Sequence, residues 1–284
     1  MNESAKSEAM SGSDTESEPE LYLLGSGTTS FLDITLRTQD ALKRCRQVFY
    51  LHDIPSLDEY LRDVAPGAVN LMPVYYRDGR ERTDIYGDIA AHVVDAVAGG
   101  APVGFLVHGN PMFFSLVTRL ILARAAERGV RARVLPAVSS LDCLFVDLRL
   151  DAGEDGLQLY EASTAIMRDI ALNPRAAALL LQVGAILDFT SARQSEAVQD
   201  VAPLRDYLLR FYPPEHEVTV AECQVELGFS STLTTVSVGC LRDAAPSMNY
   251  NATLYVPAVA AGMGRMAMII KSLLFTIIQS RVVR

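Results

Sequence analysis

The stretch Leu21-Tyr22-Leu23-Leu24-Gly25-Ser26-Gly27-Thr28-Thr29-Ser30 reads as a short buried strand that runs into a glycine turn. A periodic segment from Leu32 to Arg46 follows, and Val48–Leu51 reads as the next strand. Strand, glycine turn and helix in that order form the first unit of an open parallel sheet. Further along, the pattern predicts a helix over Leu57–Val64, ended by Pro66-Gly67, and a strand over Asn70–Tyr75. Tyr76–Arg82 reads as a charged loop. Asp84–Ala98 predicts a helix with Thr83 or Asp84 as its cap and Gly99-Gly100 as its stop. Val103–Val107 is a buried strand entering His108-Gly109-Asn110-Pro111, Phe113–Arg128 a second amphipathic helix, and Ala132–Leu135 another strand. Near-continuous apolar strands alternating with helices imply a parallel sheet covered on both faces.

The pattern changes at Pro136. A turn with two serines leads into a short helix at Leu141–Leu148, and Leu157–Glu161, Ala178–Leu187, Glu217–Glu222, Val236–Cys240 and Thr253–Val256 read as strands of mixed length. The expected architecture is therefore a two-domain α/β fold. It has an N-terminal domain (20–135) built on an open parallel sheet and a C-terminal domain (136–260) built on a mixed sheet. Residues 1–19, rich in Ser and Glu, cannot repay the entropy of ordering and read as a disordered tail. That tail has neither the basic nor the apolar region of a signal peptide, so a cytoplasmic location is expected. Residues 261–284 form an apolar tail whose charges are all basic, with Met266, Ile269, Ile270, Leu273, Leu274, Ile277 and Ile278 at helical spacing.

Half of the 284 residues are hydrophobic and 21% are charged, which suits a large buried core and a homodimer interface. A net charge of −9 argues against a nucleic-acid partner, and no apolar run is long enough for a membrane span. Cys45, Cys143, Cys223 and Cys240 are scattered through apolar surroundings without a CxxC pair. Mostly buried, reduced thiols are the expectation, with no metal site and no disulfide framework.

In open α/β sheets a ligand lies beyond the carboxyl ends of the strands. Three loops there are small or polar: Gly25–Ser30, His108–Pro111 and Ala137–Ser140. The first alone resembles a decayed dinucleotide fingerprint, with Asp53 after the second strand as the ribose-binding acid. A nicotinamide cofactor would leave the other two loops unexplained.

Together, Leu21–Ser30, Gly109-Asn110-Pro111 and Pro136–Ser140 resemble the tetrapyrrole methylase superfamily in order and spacing. Ser139-Ser140-Leu141-Asp142, Gln158-x-Tyr160-Glu161-Ala162, Gln182-Val183-Gly184 and the closing Ala252–Pro257 are similar to the borosin peptide-backbone α-N-methyltransferases within it. The resemblance covers roughly Leu21 to Pro257. It implies an interdomain cleft for S-adenosylmethionine, contacted through His108, Asn110, Phe113, Ser140, Gln182, Ala252 and Thr253, with Gly25, Gly27, Pro111 and Ser139 completing the loops. The fungal borosin pattern has Tyr at the position of His108 and His at that of Asn110. Plainer structural roles stand beside these, since Gln182 can satisfy a buried backbone group and Ser140 can cap the helix at Leu141.

Arg82 and Tyr86 are four apart at a helix start and share a face, and Tyr76 precedes Arg82 by six residues. Borosin enzymes use a Tyr, an Arg and a second Tyr at this spacing, which implies a catalytic trio. Its chemistry suits an amide, whose nitrogen is barely nucleophilic until its proton leaves and charge moves to the carbonyl oxygen. Such a site needs a base and a cationic oxyanion partner. Arg82 fits the second role, Tyr76 is the first choice for base and Tyr86 for positioning, with the two tyrosines exchangeable. The acceptor is a peptide or a small molecule. A tetrapyrrole acceptor, served by Arg77, Arg80 and Arg82, and a non-catalytic protein that kept the fold are the alternatives.

Overall fold

A computed structural model describes residues 18–76, 79–190 and 200–259. The tails expected at 1–19 and 261–284, the latter with its apolar residues at helical spacing, lie outside the described residues except for residues 18 and 19.

The first sheet contains β1 (Leu21–Gly25), β2 (Gln47–Leu51), β3 (Val69–Asn70), β4 (Val103–Val107) and β5 (Ala132–Val134) in the order β3-β2-β4-β1-β5. Every pairing is parallel. All five residues of β1 and of β4 are buried, as a sheet covered on both faces requires. The helices are α1 (Leu36–Arg44), α2 (Pro55–Val64), α3 (Met72–Tyr75), α4 (Arg82–Asp95) and α5 (Leu116–Glu127). One core joins Phe105 and Leu23 to Ile85, Ile89 and Ile121 of α4 and α5. The other joins Leu24 and Leu106 to Leu42, Leu57 and Leu61 of α1 and α2.

After α6 (Ser140–Asp147) and α7 (Ala152–Asp155), the second sheet comprises β6 (Leu157–Glu161), β7 (Ala177–Leu181), β8 (Glu217–Glu222), β9 (Thr232–Ser237) and β10 (Thr253–Val256). Its order is β6-β7-β10-β8-β9, parallel between β6 and β7 and antiparallel elsewhere. α8 (Ala162–Met167) and α9 (Ala202–Leu208) help cover one face, with Leu204 and Leu208 packed on Leu180, Val220 and Leu254. α6 covers the other, its Leu144 against Leu179 and Ala221. The expected two-domain α/β architecture and parallel-then-mixed sheets are thus both present.

Several local expectations are corrected. Of Asn70–Tyr75 only Asn70 is strand, as the second residue of β3, because the Asn70 side chain accepts the Met72 N–H and Pro73 favours the helical turn α3. α4 starts at Arg82, neither Thr83 nor Asp84 caps it, and Glu81 instead pairs with Thr190 while the Arg82 N–H donates to Phe189 O. β7 stops at Leu181, where Gln182 turns the chain in a left-handed conformation (φ 58°). Val236–Cys240 is not a strand of its own, since β9 ends at Ser237 and a 3₁₀ segment follows. α1 and α5 start later than their periodicity suggests, at Leu36 and Leu116, because Thr35 and Ser115 cap them. None of the four cysteines is fully buried, and Cys240 is exposed.

Candidate functional site

The carboxyl ends of β2 and β4 open onto a cavity of about 730 Å³, walled on the other side by the second sheet and the turn after β7. That size suits a small-molecule site. Tyr76, Arg82, Tyr86, His108, Phe113 and Gln182, six of the sequence-predicted residues, line it together.

Local sequence explains how each arrives there. Tyr76 leaves α3 at its C-terminal end, and Arg82 and Tyr86 stand one turn apart at the start of α4. The Tyr76 and Tyr86 rings lie 6.4 Å apart. Arg82 donates from Nη1 to the Tyr250 hydroxyl at 2.7 Å and from Nη2 to the Asp188 carbonyl, and its guanidinium sits over the Tyr250 ring at 5.3 Å. Both carbonyl and phenol belong to the second half of the chain, so the trio is fixed across the cleft. Burial alone would weaken the Arg82 charge, but Tyr250 and then Tyr86 more than restore it. Burial pushes the Tyr76 hydroxyl well above the ordinary phenol range, and burial followed by Tyr250 pushes Tyr86 up to about 12.

His52 and His108 occupy equivalent places. Leu51 of β2 pairs with Val107 of β4, so the next residue of each strand enters the cavity beside the other. His52 is 4% exposed, stacks on Tyr50 at 4.6 Å, and accepts the Ile54 N–H at Nδ1. Its Nε2 and the Nδ1 of His108 are buried without a protein partner. Burial, then His108, lowers His52 to about 3, and burial lowers His108 as well, so both rings are neutral near pH 7.

The remaining predicted residues form the wall behind. A side chain at Gly25 would strike the Gly109 carbonyl, Ala137 and Pro111, so this glycine lets three strand-end loops pack on one another. Gly27 has φ 77°, and a side chain there would collide with Asp33. The Asp33 carboxylate accepts from Thr28 N and Thr28 Oγ1 at 3.1 Å and from Thr29 N at 2.8 Å. The loop that could cradle a dinucleotide phosphate is filled by the chain's own carboxylate. Asn110 donates to Ala137 O and accepts the Met112 N–H, tying the second loop to the third. Ser139, rather than Ser140, caps α6 through a capping box with Asp142. Ala252 and Thr253 are buried, with Ala252 O accepting from Val183 N beneath the Gln182 turn.

Sequence reasoning missed His52 and Tyr250. The matched ends of β2 and β4 carry a signal for the first, because both histidines follow the last residue of paired apolar strands. Tyr250 lies in Asn249-Tyr250-Asn251, where no periodicity exists to read. Also unforeseen is the meeting of Cys143 with Thr28, 2.9 Å away, and with Cys223, whose bond lowers the Cys143 thiol.

A parallel sheet opening onto a cleft roofed by a mixed sheet defines a two-domain α/β protein with a cavity between the halves. Residues 20–223 match the family model for tetrapyrrole (corrin/porphyrin) methylases, and the chain belongs to that family. It is 33% identical over 202 residues, 70% of its length and 48% of the relative's, to a methyltransferase/ribosomally synthesized type I borosin cyclic peptide precursor of Serendipita vermifera subsp. bescii. It is 30% identical over 252 residues, 87% of its length and 59% of the relative's, to a methyltransferase/cyclic peptide gymnopeptides precursor of Gymnopus fusipes. The chain therefore spans about half the length of the curated relatives it matches. Among solved structures it resembles the uroporphyrin-III C-methyltransferase of Thermus thermophilus, with a TM-score of 0.60 and 19% identity over 84% of this chain and 91% of that one. Another structure of that enzyme is a complex with S-adenosylhomocysteine.

Proposed function

We propose that this protein is an S-adenosylmethionine-dependent methyltransferase that N-methylates backbone amides of a peptide, acting as a cytoplasmic homodimer. The observation that carries the reading is the meeting of Tyr76, Arg82 and Tyr86 on one cavity with His108, Phe113 and Gln182. The cofactor fits the residues present. The orphaned His108 Nδ1 offers a polar partner, Phe113 an aromatic surface, and Gln182, held left-handed, a polar side chain at the cavity wall. When bound, the cofactor supplies an electrophilic methyl group and its own leaving group.

The chain's residues supply what an amide lacks. Arg82 has five N–H donors and spends one on Tyr250 and one on Asp188, which leaves donors for the acceptor's carbonyl oxygen as charge gathers there. Tyr76 and Tyr86 offer phenol oxygens for the departing amide proton. The neutral histidines avoid placing a second cation beside a sulfonium, and Asp53 and Glu161 on the lining favour positive charge. The domain boundary belongs between Leu135 and Pro136, since the strands on either side build separate cores. Exposed apolar side chains such as Val146 (76%) and Phe229 (70%) favour a dimer.

The test is incubation with cofactor and candidate peptides, read by intact mass and fragmentation. Methyl groups on backbone nitrogens support the reading. Transfer to a tetrapyrrole and to no peptide would overturn it.

A further inference from the structure

Among the described residues, five buried side-chain atoms have no protein partner. Two of the five, Nε2 of His52 and Nδ1 of His108, belong to residues that line the cavity. His108 already has a place in the cofactor reading. His52 has none, and its ring is the one whose proton the geometry assigns.

A backbone N–H can only donate, so the Ile54 N–H, 3.3 Å from Nδ1, requires a lone pair on that nitrogen. A ring with its lone pair on Nδ1 carries its proton on Nε2. His52 therefore brings an N–H donor of fixed identity to the cavity, and no described residue accepts from it. The donor is also held firmly. The ring stacks on buried Tyr50 at 4.6 Å and is itself 4% exposed. The His52 carbonyl accepts from the Asn70 side chain at 2.9 Å, and the same side chain accepts the Met72 N–H at 3.0 Å. One amide group thus clips the end of β2 to the start of α3, the turn whose far end delivers Tyr76. A buried donor left unanswered is costly, and one already held in place binds its acceptor with little further ordering.

An uncharged donor suits an uncharged oxygen, and a peptide presents one at every residue. The carbonyl of the reacting amide belongs to Arg82, which leaves its neighbours in the acceptor chain to be answered elsewhere. We propose that His52 is an acceptor-binding residue, its Nε2–H donating to a backbone carbonyl beside the reacting amide and so setting which amide meets Tyr76 and Arg82. The proposal rests on the amide-methylation reading above.

The experiment uses the full-length protein, the peptide that wild type methylates in the test above, and a separate titration with S-adenosylhomocysteine. Two substitutions separate the ring nitrogens. The Asn amide ends at the δ position, so His52→Asn keeps an acceptor for the Ile54 N–H and loses the ε donor. The Gln amide reaches the ε position, so His52→Gln restores a donor there. His52→Asn should raise the peptide KM roughly five- to tenfold, the worth of one neutral hydrogen bond, with kcat and S-adenosylhomocysteine affinity little changed. His52→Gln should recover most of that loss. Replacing the peptide's carbonyl oxygens by sulfur, one residue at a time, weakens each as an acceptor. One position beside the reacting amide should then raise KM for wild type and His52→Gln but not for His52→Asn. Wild type alone must show such a position, so the proposal stays testable if His52→Asn fails to fold.

A wild-type KM for His52→Asn would overturn the assignment, as would a loss that falls on S-adenosylhomocysteine affinity instead. A sulfur scan of wild type with no sensitive neighbour would do the same. The two readings fail separately. If wild type methylates no peptide, amide methylation falls, whereas if it does and these variants behave as wild type, only the role of His52 falls.

Discussion

The turn after β1 and the ends of β2 and β4 make opposite use of the same position in the fold. After β1, Gly27 opens the turn and Thr28 and Thr29 offer their amides, yet Asp33 takes them all, and the loop is buried and complete. After β2 and β4, two histidines each keep a buried ring nitrogen with no protein partner, on the cavity that also holds the proposed trio. Buried polar groups are costly unless paired. Where the chain answers its own groups, a loop is architecture; where it leaves them open on a cavity, it is a site. Glycine content misleads here, since the glycine-rich loop is the closed one.

Substitutions can break this contrast. The largest effect belongs to the open side. Tyr76→Phe should lower the single-turnover rate by roughly two to four orders of magnitude with cofactor affinity little changed, and Arg82→Lys should also be poor because the planar fork is lost. Rate measurement beside a cofactor titration decides it, and a wild-type rate for Tyr76→Phe would make the loop structural.

On the closed side, Asp33→Ala should act on stability instead. It strands buried amide donors, at roughly 1–3 kcal/mol for each group left unsatisfied. Thermal melting should show the loss, while turnover per folded molecule stays close to wild type. A large loss of cofactor affinity without loss of stability would place the first loop in the site after all.

The smallest effect sharpens the contrast through pH. The folded-state value of His52 is depressed to about 3 from an ordinary 6.5. Below pH 6.5 the unfolded chain takes up a proton that the folded chain refuses, so this share of stability is present above pH 6.5 and is lost as pH falls towards 3. His52→Asn retains an acceptor for the Ile54 N–H and removes the titration. Its melting temperature should fall less steeply than that of wild type between pH 6.5 and 4. Parallel curves would show that His52 is not the buried neutral group described.

Much of this was legible in the sequence. Glu217–Glu222 and Thr253–Val256 are strands at the predicted boundaries, because alternation and apolar runs are local signals. Gln182 was legible as a candidate, and it lines the cavity, but not as the end of β7, since a left-handed glutamine follows from the pressure of the Asn249–Tyr250 loop on Gly184. The Tyr76, Arg82 and Tyr86 spacing could be read because it lies within one loop and one turn of helix. Tyr250 lies 168 residues from Arg82, and nothing local announces a partner supplied by topology.

The bond between Arg82 and Tyr250 also bears on ancestry and engineering. The first half of the chain carries the motif, and the second half carries the hydroxyl that steadies it. A hybrid assembled from the leading portion of one relative and the trailing portion of another would inherit all the recognisable letters and still misplace its cation, unless the recipient brings an aromatic alcohol to the same spot. Shuffling at the Leu135–Pro136 seam is therefore not a neutral exchange of modules, and its products should be screened for that one contact before their chemistry is compared.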